Sequence, residues 1–482
     1  MSLNSKLRTG LATAALCVVA SVPAFAQSGD AGGGTSNLMF PINLMAAPQG
    51  GGSGGGGAAS GFQDRVRNFE RNAPNREQFT LIGLDSKDGS GHFNAIFGGI
   101  PEGAGLSGGL QITSGKSIDG LELYGAMAFS IRQYQLYEVG AVVSPGGEGW
   151  GADARFRYLR RPQDNFFGVG PFSTIETGVN PTNGLVFGGE TNYDLEQRSY
   201  AGTLHYDFTK ELDIGVYVEH KSSSFYEGDD DADPIITEIY QPYFPGNPDL
   251  CFSDPNGSRP IVPGLGGSRY ISFGAYLEYD ARDHSHGLTK GGYVYARVAS
   301  HDSTADENDP GYNDFGWVQT TFDVRGYLPL FSDRTSLAGR YFTDLNSRKG
   351  ASSIPFYSMP RLGGNSSLRG FDTFRFTGSN SALFQLELRQ TVMGFGGDED
   401  RGLDVIFFGD AGQVWGKGYE IPVCPPFATV DPSIGEDFDS DNFEVDGGVG
   451  LGVRISKGFG IRFDYAHSNE DDKVRLVFSR GF

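Results

Sequence analysis

From residue 93 to the end of the chain, apolar and polar side chains alternate in short stretches separated by Gly, Asp, Asn and Pro. A period of two puts successive residues on opposite faces of a β-strand. In 198–208, Tyr200, Leu204, Tyr206 and Phe208 share one face, while Ala201, Thr203, His205 and Asp207 share the other. Val445, Val449, Leu451, Val453 and Ile455 likewise alternate with Asp446 and Arg454, and Ile461, Phe463 and Tyr465 with Arg462 and Asp464. Read this way, the chain predicts about sixteen strands. They lie over 93–100, 104–113, 121–132, 137–144, 151–160, 198–208, 212–220, 270–279, 292–300, 318–328, 336–342, 382–390, 403–415, 445–455, 460–467 and 474–482.

The connections add topology. After the first two hairpins, short turns such as Lys210-Glu211 and 457–459 alternate with long stretches at 161–197, 221–269, 301–317, 343–381 and 416–444. Short turns at one end and long loops at the other are the asymmetry of an outer-membrane barrel. An Arg on the lipid face near the midplane costs roughly 2–4 kcal/mol, so the charged face of each strand must line a wet lumen. The predicted fold class is therefore all-β, a transmembrane antiparallel β-barrel with long extracellular loops, over residues 90–482. An even strand count puts both barrel ends on the periplasmic side. A soluble β-sandwich would alternate similarly, but it needs neither sixteen strands nor a terminal Phe.

Composition agrees: 73 Gly, 22 Tyr and 37 Phe with weak hydropathy suit strands of which only alternate residues meet lipid. Lys6 and Arg8 precede an apolar run over 11–20 and the triplet Ala24-Phe25-Ala26, which predicts a signal peptide (1–26) cleaved after Ala26. Lipidation at Cys17 is the competing reading, and Leu16 is bulkier than such sites usually carry. Residues 27–60 are Gly-rich and predict a disordered linker. Phe62, Val66 and Phe69 are spaced for a short amphipathic helix over 61–76, and a loose tether fits them equally well.

The net charge of −21 argues against a nucleic-acid partner. Acidic runs at 227–233, 302–309, 436–441 and 470–472 fall between strands and read as solvated loop tips. Divalent-cation binding at the lipopolysaccharide surface is the other reading. Outer-membrane lipid and lipopolysaccharide are the expected surroundings.

Enzyme-like motifs lack their context. Gly105-Leu106-Ser107-Gly108-Gly109 and Gly51-Gly52-Ser53-Gly54-Gly55 match a serine-hydrolase elbow, which requires a strand-to-helix turn with acid and His partners. His284-x-His286 offers two metal ligands without a third. No cofactor, metal or catalytic residue is expected, and the protein is not expected to be an enzyme. Once Cys17 leaves with the signal, Cys251 and Cys424 remain, both in long connections on one side of the membrane. Export through an oxidising compartment predicts a disulfide between them.

Residues 360–371 read PRLGGNSSLRGF and are followed by SALFQLELRQ and FFGDAGQVW. With PEGAGLSGGL, DNFFGVG at 164–170, YDARD at 279–283 and the closing Phe482, this resembles the BamA-like outer-membrane assembly and two-partner-secretion superfamily, whose barrel is also called the bacterial surface antigen domain. The resemblance covers about Phe93 to Phe482. It implies that the sixth extracellular loop folds back into the lumen with Leu368, Arg369, Gly370 and Phe371 at its tip. Glu387 and Asp410 then occupy the positions of the lumen acids that receive Arg369, a guanidinium whose five donors need partners. A second string, Val324-Arg325-Gly326-Tyr327, lies within a predicted strand and reads as ordinary wall. Leu476, Phe478 and Phe482 resemble the C-terminal signal that hands new barrels to the assembly machinery.

Periplasmic POTRA modules would precede such a barrel, yet only about sixty residues separate Ala26 from the first expected strand, so a POTRA-less member is expected. The implied function is membrane-protein insertion, or polypeptide or lipid translocation, with a separate periplasmic partner. The alternative is a passive pore or a structural surface protein with a plugged lumen.

Overall fold

The computed structural model describes residues 80–85, 91–97, 100, 103–114, 121–143, 149–170, 190–228, 236–242, 261–282, 290–305, 314–395, 398–419, 437–456 and 459–477. The first strands are β1 (Thr80–Asp85), β2 (Gly91–Phe97), β3 (Ser107–Ser114), β4 (Leu121–Ser130), β5 (Gln135–Val143) and β6 (Gly149–Phe166). Next come β7 (Thr191–Asp207), β8 (Leu212–Glu227), β9 (Ser268–Asp280), β10 (Gly291–Ser303), β11 (Gly316–Pro329) and β12 (Thr335–Arg348). The last five are β13 (Asn380–Phe395), β14 (Asp398–Trp415), β15 (Glu444–Ser456), β16 (Phe459–His467) and β17 (Asp472–Val477). Each pairs antiparallel with its neighbours in the chain, which makes one seventeen-stranded up-and-down sheet.

The sixteen expected strands are present as β2 to β17, and β1 precedes them. The sequence reading overlooked it because TLIGLD mixes apolar residues with Gly and shows no clean alternation. The extra strand reverses the end at which the sheet begins: Thr80 pairs with Phe97, at the end that carries the long loops. The last strand still finishes at the short-turn end, where Val477 pairs with Arg462. Strands β6 and β7 run further than expected because their polar alternation continues through Arg161, Asp164 and Asp194, whose side chains are buried. Their register skips between Arg161 and Asp164, beside Pro162, which has no N–H to offer a ladder.

Facing follows the alternation. Tyr200, Leu204, Phe208, Leu386, Leu388, Val449, Leu451, Phe463 and Tyr465 are exposed on the outer surface, whereas His205, Asp207, Glu387, Asp446, Arg454, Arg462 and Asp464 are buried inside. Ser107 of the elbow-like string opens β3, and Arg325 of the second Arg-Gly-aromatic string lies in β11 with its guanidinium 2.6 Å from Asp323. Among the described residues no helix is long and apolar enough to cross a membrane.

The largest apolar cluster lies inside the barrel, at the long-loop end. Ile354, Phe356, Tyr357 and Met359 come from the connection between β12 and β13, and pack with Ile236, Tyr240, Val262 and Leu265 from the connection between β8 and β9. Phe166, Tyr193, Tyr270 and Trp317 complete it from the wall. The signal peptide, linker and helix expected over 1–76, and with them the POTRA-less expectation, lie outside the described residues. So do His284, His286, Cys251, Cys424, Phe478 and Phe482, while Leu476 is exposed on the outer face.

Candidate functional site

The connection between β12 and β13 dips into the lumen and is shaped before it meets the wall. Arg361–Leu362 pairs with Phe376–Thr377, which pinches residues 363–375 into a compact tip. Gly363 takes φ +110° and Gly364 φ +107°, a left-handed backbone that favours glycine. The Gly363 N–H donates to Ser367 Oγ at 2.9 Å and closes the turn. Leu368 and Phe371 then bury against Phe342, Leu362 and Leu383, so apolar contact fixes the tip on either side of its charge.

Arg369 sits between those two anchors, almost fully buried. Its Nε and Nη2 donate to the two oxygens of Asp410 on β14 at 2.7 Å each, a bidentate pair. Its Nη1 donates to Glu387 on β13, and Asp464 on β16 stands 3.9 Å away. The guanidinium lies 3.7 Å over the ring of Phe408. The expected partners Glu387 and Asp410 are thus both in place. Glu387 also accepts from Arg389 at 2.7 Å and from Arg462 at 2.8 Å, so three cations share one carboxylate.

The backbone of the tip is held as firmly. The Gly370 N–H donates to Asp446 on β15 at 3.0 Å, and Ser468 Oγ donates to the Gly370 carbonyl at 2.9 Å. A Cβ on Gly370 would stand 2.7 Å from Asp446 Cβ and 2.9 Å from Ser468 Cβ, so the fit admits glycine. Arg475 on β17 donates to the carbonyls of Arg369 and Phe371. Every strand from β13 to β17 therefore touches the tip.

A second clasp holds the loop to the opposite part of the wall. Arg361 donates to Tyr193 Oη at 2.8 Å and to Asp164 at 3.3 Å, and its guanidinium lies 3.6 Å over Phe374. Asp164 on β6 is also 2.6 Å from Arg161 and accepts from Tyr134 at 2.8 Å. Further out, Arg375 pairs with Glu470 at 2.9 Å and Lys473 with Asp372 at 2.9 Å. The sequence places Asp446 and Asp464 on the lumen face without assigning them to the tip, and it contains Arg361 and Asp164 within the quoted motif strings without giving either a role. A buried polar row continuing past the apolar part of β6 was the available signal.

A loop tip locked by an Arg-Gly pair to acids on consecutive lumen strands is the arrangement the sequence motif implied. The Omp85 superfamily domain matches residues 188–482, more than half of the chain, including that whole lock. The chain belongs to the Omp85 superfamily. It is an outer-membrane β-barrel of that family. Among solved structures, BamA from Haemophilus ducreyi lacking POTRA domains 1–3 superposes with a TM-score of 0.56 at 15% identity, over 88% of this chain and 78% of that one. CdiB from Escherichia coli matches with a TM-score of 0.47 at 11% identity, over 85% of this chain and 69% of that one. No curated protein sequence matches the chain.

Proposed function

We propose that this Omp85 barrel inserts membrane proteins into, or translocates polypeptide or lipid across, the outer membrane, together with a separately encoded periplasmic partner. The observation that carries this reading is the contrast between a rigid lock and weak sheet ends. Over the described residues the terminal strands β1 and β17 are six residues each, against eighteen in β6 and in β14. Among the described residues no register joins them to each other. Unpaired N–H and C=O groups at a sheet edge can template an incoming strand, and the tip clasped by β13 to β17 would hold that edge in place. The work is mechanical and needs no covalent step or cofactor. On this reading the chain is exported with loss of residues 1–26 and enters its membrane through the barrel-assembly machinery, among lipopolysaccharide.

The apolar cluster and the tip inside the lumen count against a free-running pore, although they suit the alternative of a plugged structural barrel. Reconstitution separates the two readings. Vesicles carrying the full chain should accelerate folding of a urea-denatured client barrel over empty vesicles, read by heat-modifiable mobility, while planar bilayers show little steady conductance. Folding no faster than in empty vesicles would leave the passive reading standing.

A further inference from the structure

We infer that the lumen carries a divalent transition-metal site at its short-turn end, built from His205, Asp207 and Asp213. The three sit on one hairpin. His205 and Asp207 are two apart on β7 and so share the lumen face, and Asp213 on β8 is the cross-strand partner of Asp207. The turn between them is tight, with the Phe208 N–H donating to the Leu212 carbonyl at 2.9 Å. One ligand atom from each residue lies within 4.8 Å of the others, and all three residues are buried.

Two observations point to a cation-binding role. His205 Nδ1 stands 3.4 Å from Asp213 Oδ1 and 4.0 Å from Asp207 Oδ2, without hydrogen-bond geometry to either. His205 is 2% exposed and Asp213 is 0% exposed, yet both atoms, Nδ1 and Oδ1, are left without a hydrogen-bond partner. Buried polar atoms are ordinarily satisfied, and carboxylates directly opposite across a strand pair repel each other. Among the described residues no Lys or Arg pairs with Asp213. A cation placed among these atoms answers both deficits.

The surroundings hold the donors in position. The His205 ring lies across Gly151, where a Cβ would come within 2.1 Å of Nε2, so the Nδ1 edge is turned toward the carboxylates. Tyr276 Oη donates to Asp213 Oδ2 at 3.0 Å, leaving Oδ1 for a metal. An outer hydrogen bond of this kind orients a ligating carboxylate. One imidazole and two carboxylates, with water from the lumen as the remaining ligand, suit zinc.

The test uses the full-length folded barrel in detergent, stripped with chelator and titrated with Zn²⁺ and, as a spectroscopic probe, Co²⁺. One equivalent of each should bind, with Co²⁺ giving the visible absorption bands of a low-coordinate site. Asp213→Asn and His205→Gln should abolish that binding while heat-modifiable mobility remains, and Tyr276→Phe should weaken it about tenfold. His467→Gln, at an exposed histidine on the other end, serves as a control that keeps full binding. Absence of stoichiometric binding by the wild-type barrel overturns the inference. So does binding that survives in both folded ligand variants, since the metal would then sit elsewhere.

Discussion

Arg369→Ala tests the lock most directly, because the structure says where the cost falls. Glu387 keeps two cations, Arg389 and Arg462, and is not stranded by the change. Asp410 loses a bidentate partner and, among the described residues, keeps as donors Gln385 Nε2 at 3.2 Å and the backbone N–H of residue 369 at 3.4 Å. It is fully buried, and its cross-strand partner is Asp446, so two neighbouring carboxyl groups would lose the guanidinium beside them. Removing one member of a buried pair costs about 3–5 kcal/mol, mostly as the penalty on the charge left behind. Arg369→Lys keeps the charge and loses the fork, so it should cost less. Asp410→Asn added to Arg369→Ala should recover part of the loss, whereas Glu387→Gln added to it should recover none. Urea titration in detergent, read by heat-modifiable mobility and tryptophan fluorescence, gives the midpoints. An Arg369→Ala barrel that unfolds with the wild-type midpoint, or a rescue by Glu387→Gln rather than Asp410→Asn, would refute this account.

Gly370→Ala forces a methyl against Asp446 and Ser468 and should cost about 1–3 kcal/mol by overpacking, seen in the same titration. Asp164→Ala uncouples Arg161 and Arg361 and should free the loop at its second clasp, giving protease cleavage within 349–379 while the wall stays folded. Leu386→Arg puts a charge on the outer face of β13 and should destabilise the inserted barrel by roughly 2–4 kcal/mol if that position lies near the midplane, whereas its buried neighbour Glu387 is already charged. Cys251 and Cys424 are expected to be bridged, so thiol labelling of the unreduced, denatured mature protein should find no free thiol, and two reactive thiols would reject the pair.

The strands, their facing and the loop motif were legible along the chain because each is local. A period of two states which side of a strand meets lipid, and the string Leu368-Arg369-Gly370-Phe371 implies, through its resemblance to the superfamily's motif, a tip that needs acids nearby. Tyr200 with Leu204, and Phe463 with Tyr465, are exposed where alternation placed them. Alternation also put Asp446 and Asp464 inside, and the resemblance added Glu387 and Asp410, but neither could say which carboxylates meet at one point. That depends on register: β14 and β15 set Asp410 opposite Asp446, and the fold of the tip sets Gly370 against the second of these. The clasp of Arg361 on Asp164 spans 197 residues of sequence, and the three residues of the proposed metal site are brought together by one hairpin, with their ligand atoms within 4.8 Å of one another. Periodicity is a property of neighbours along the chain, whereas pairing across the lumen belongs to the sheet's curvature and the path of its loops, and only the tertiary structure decides it.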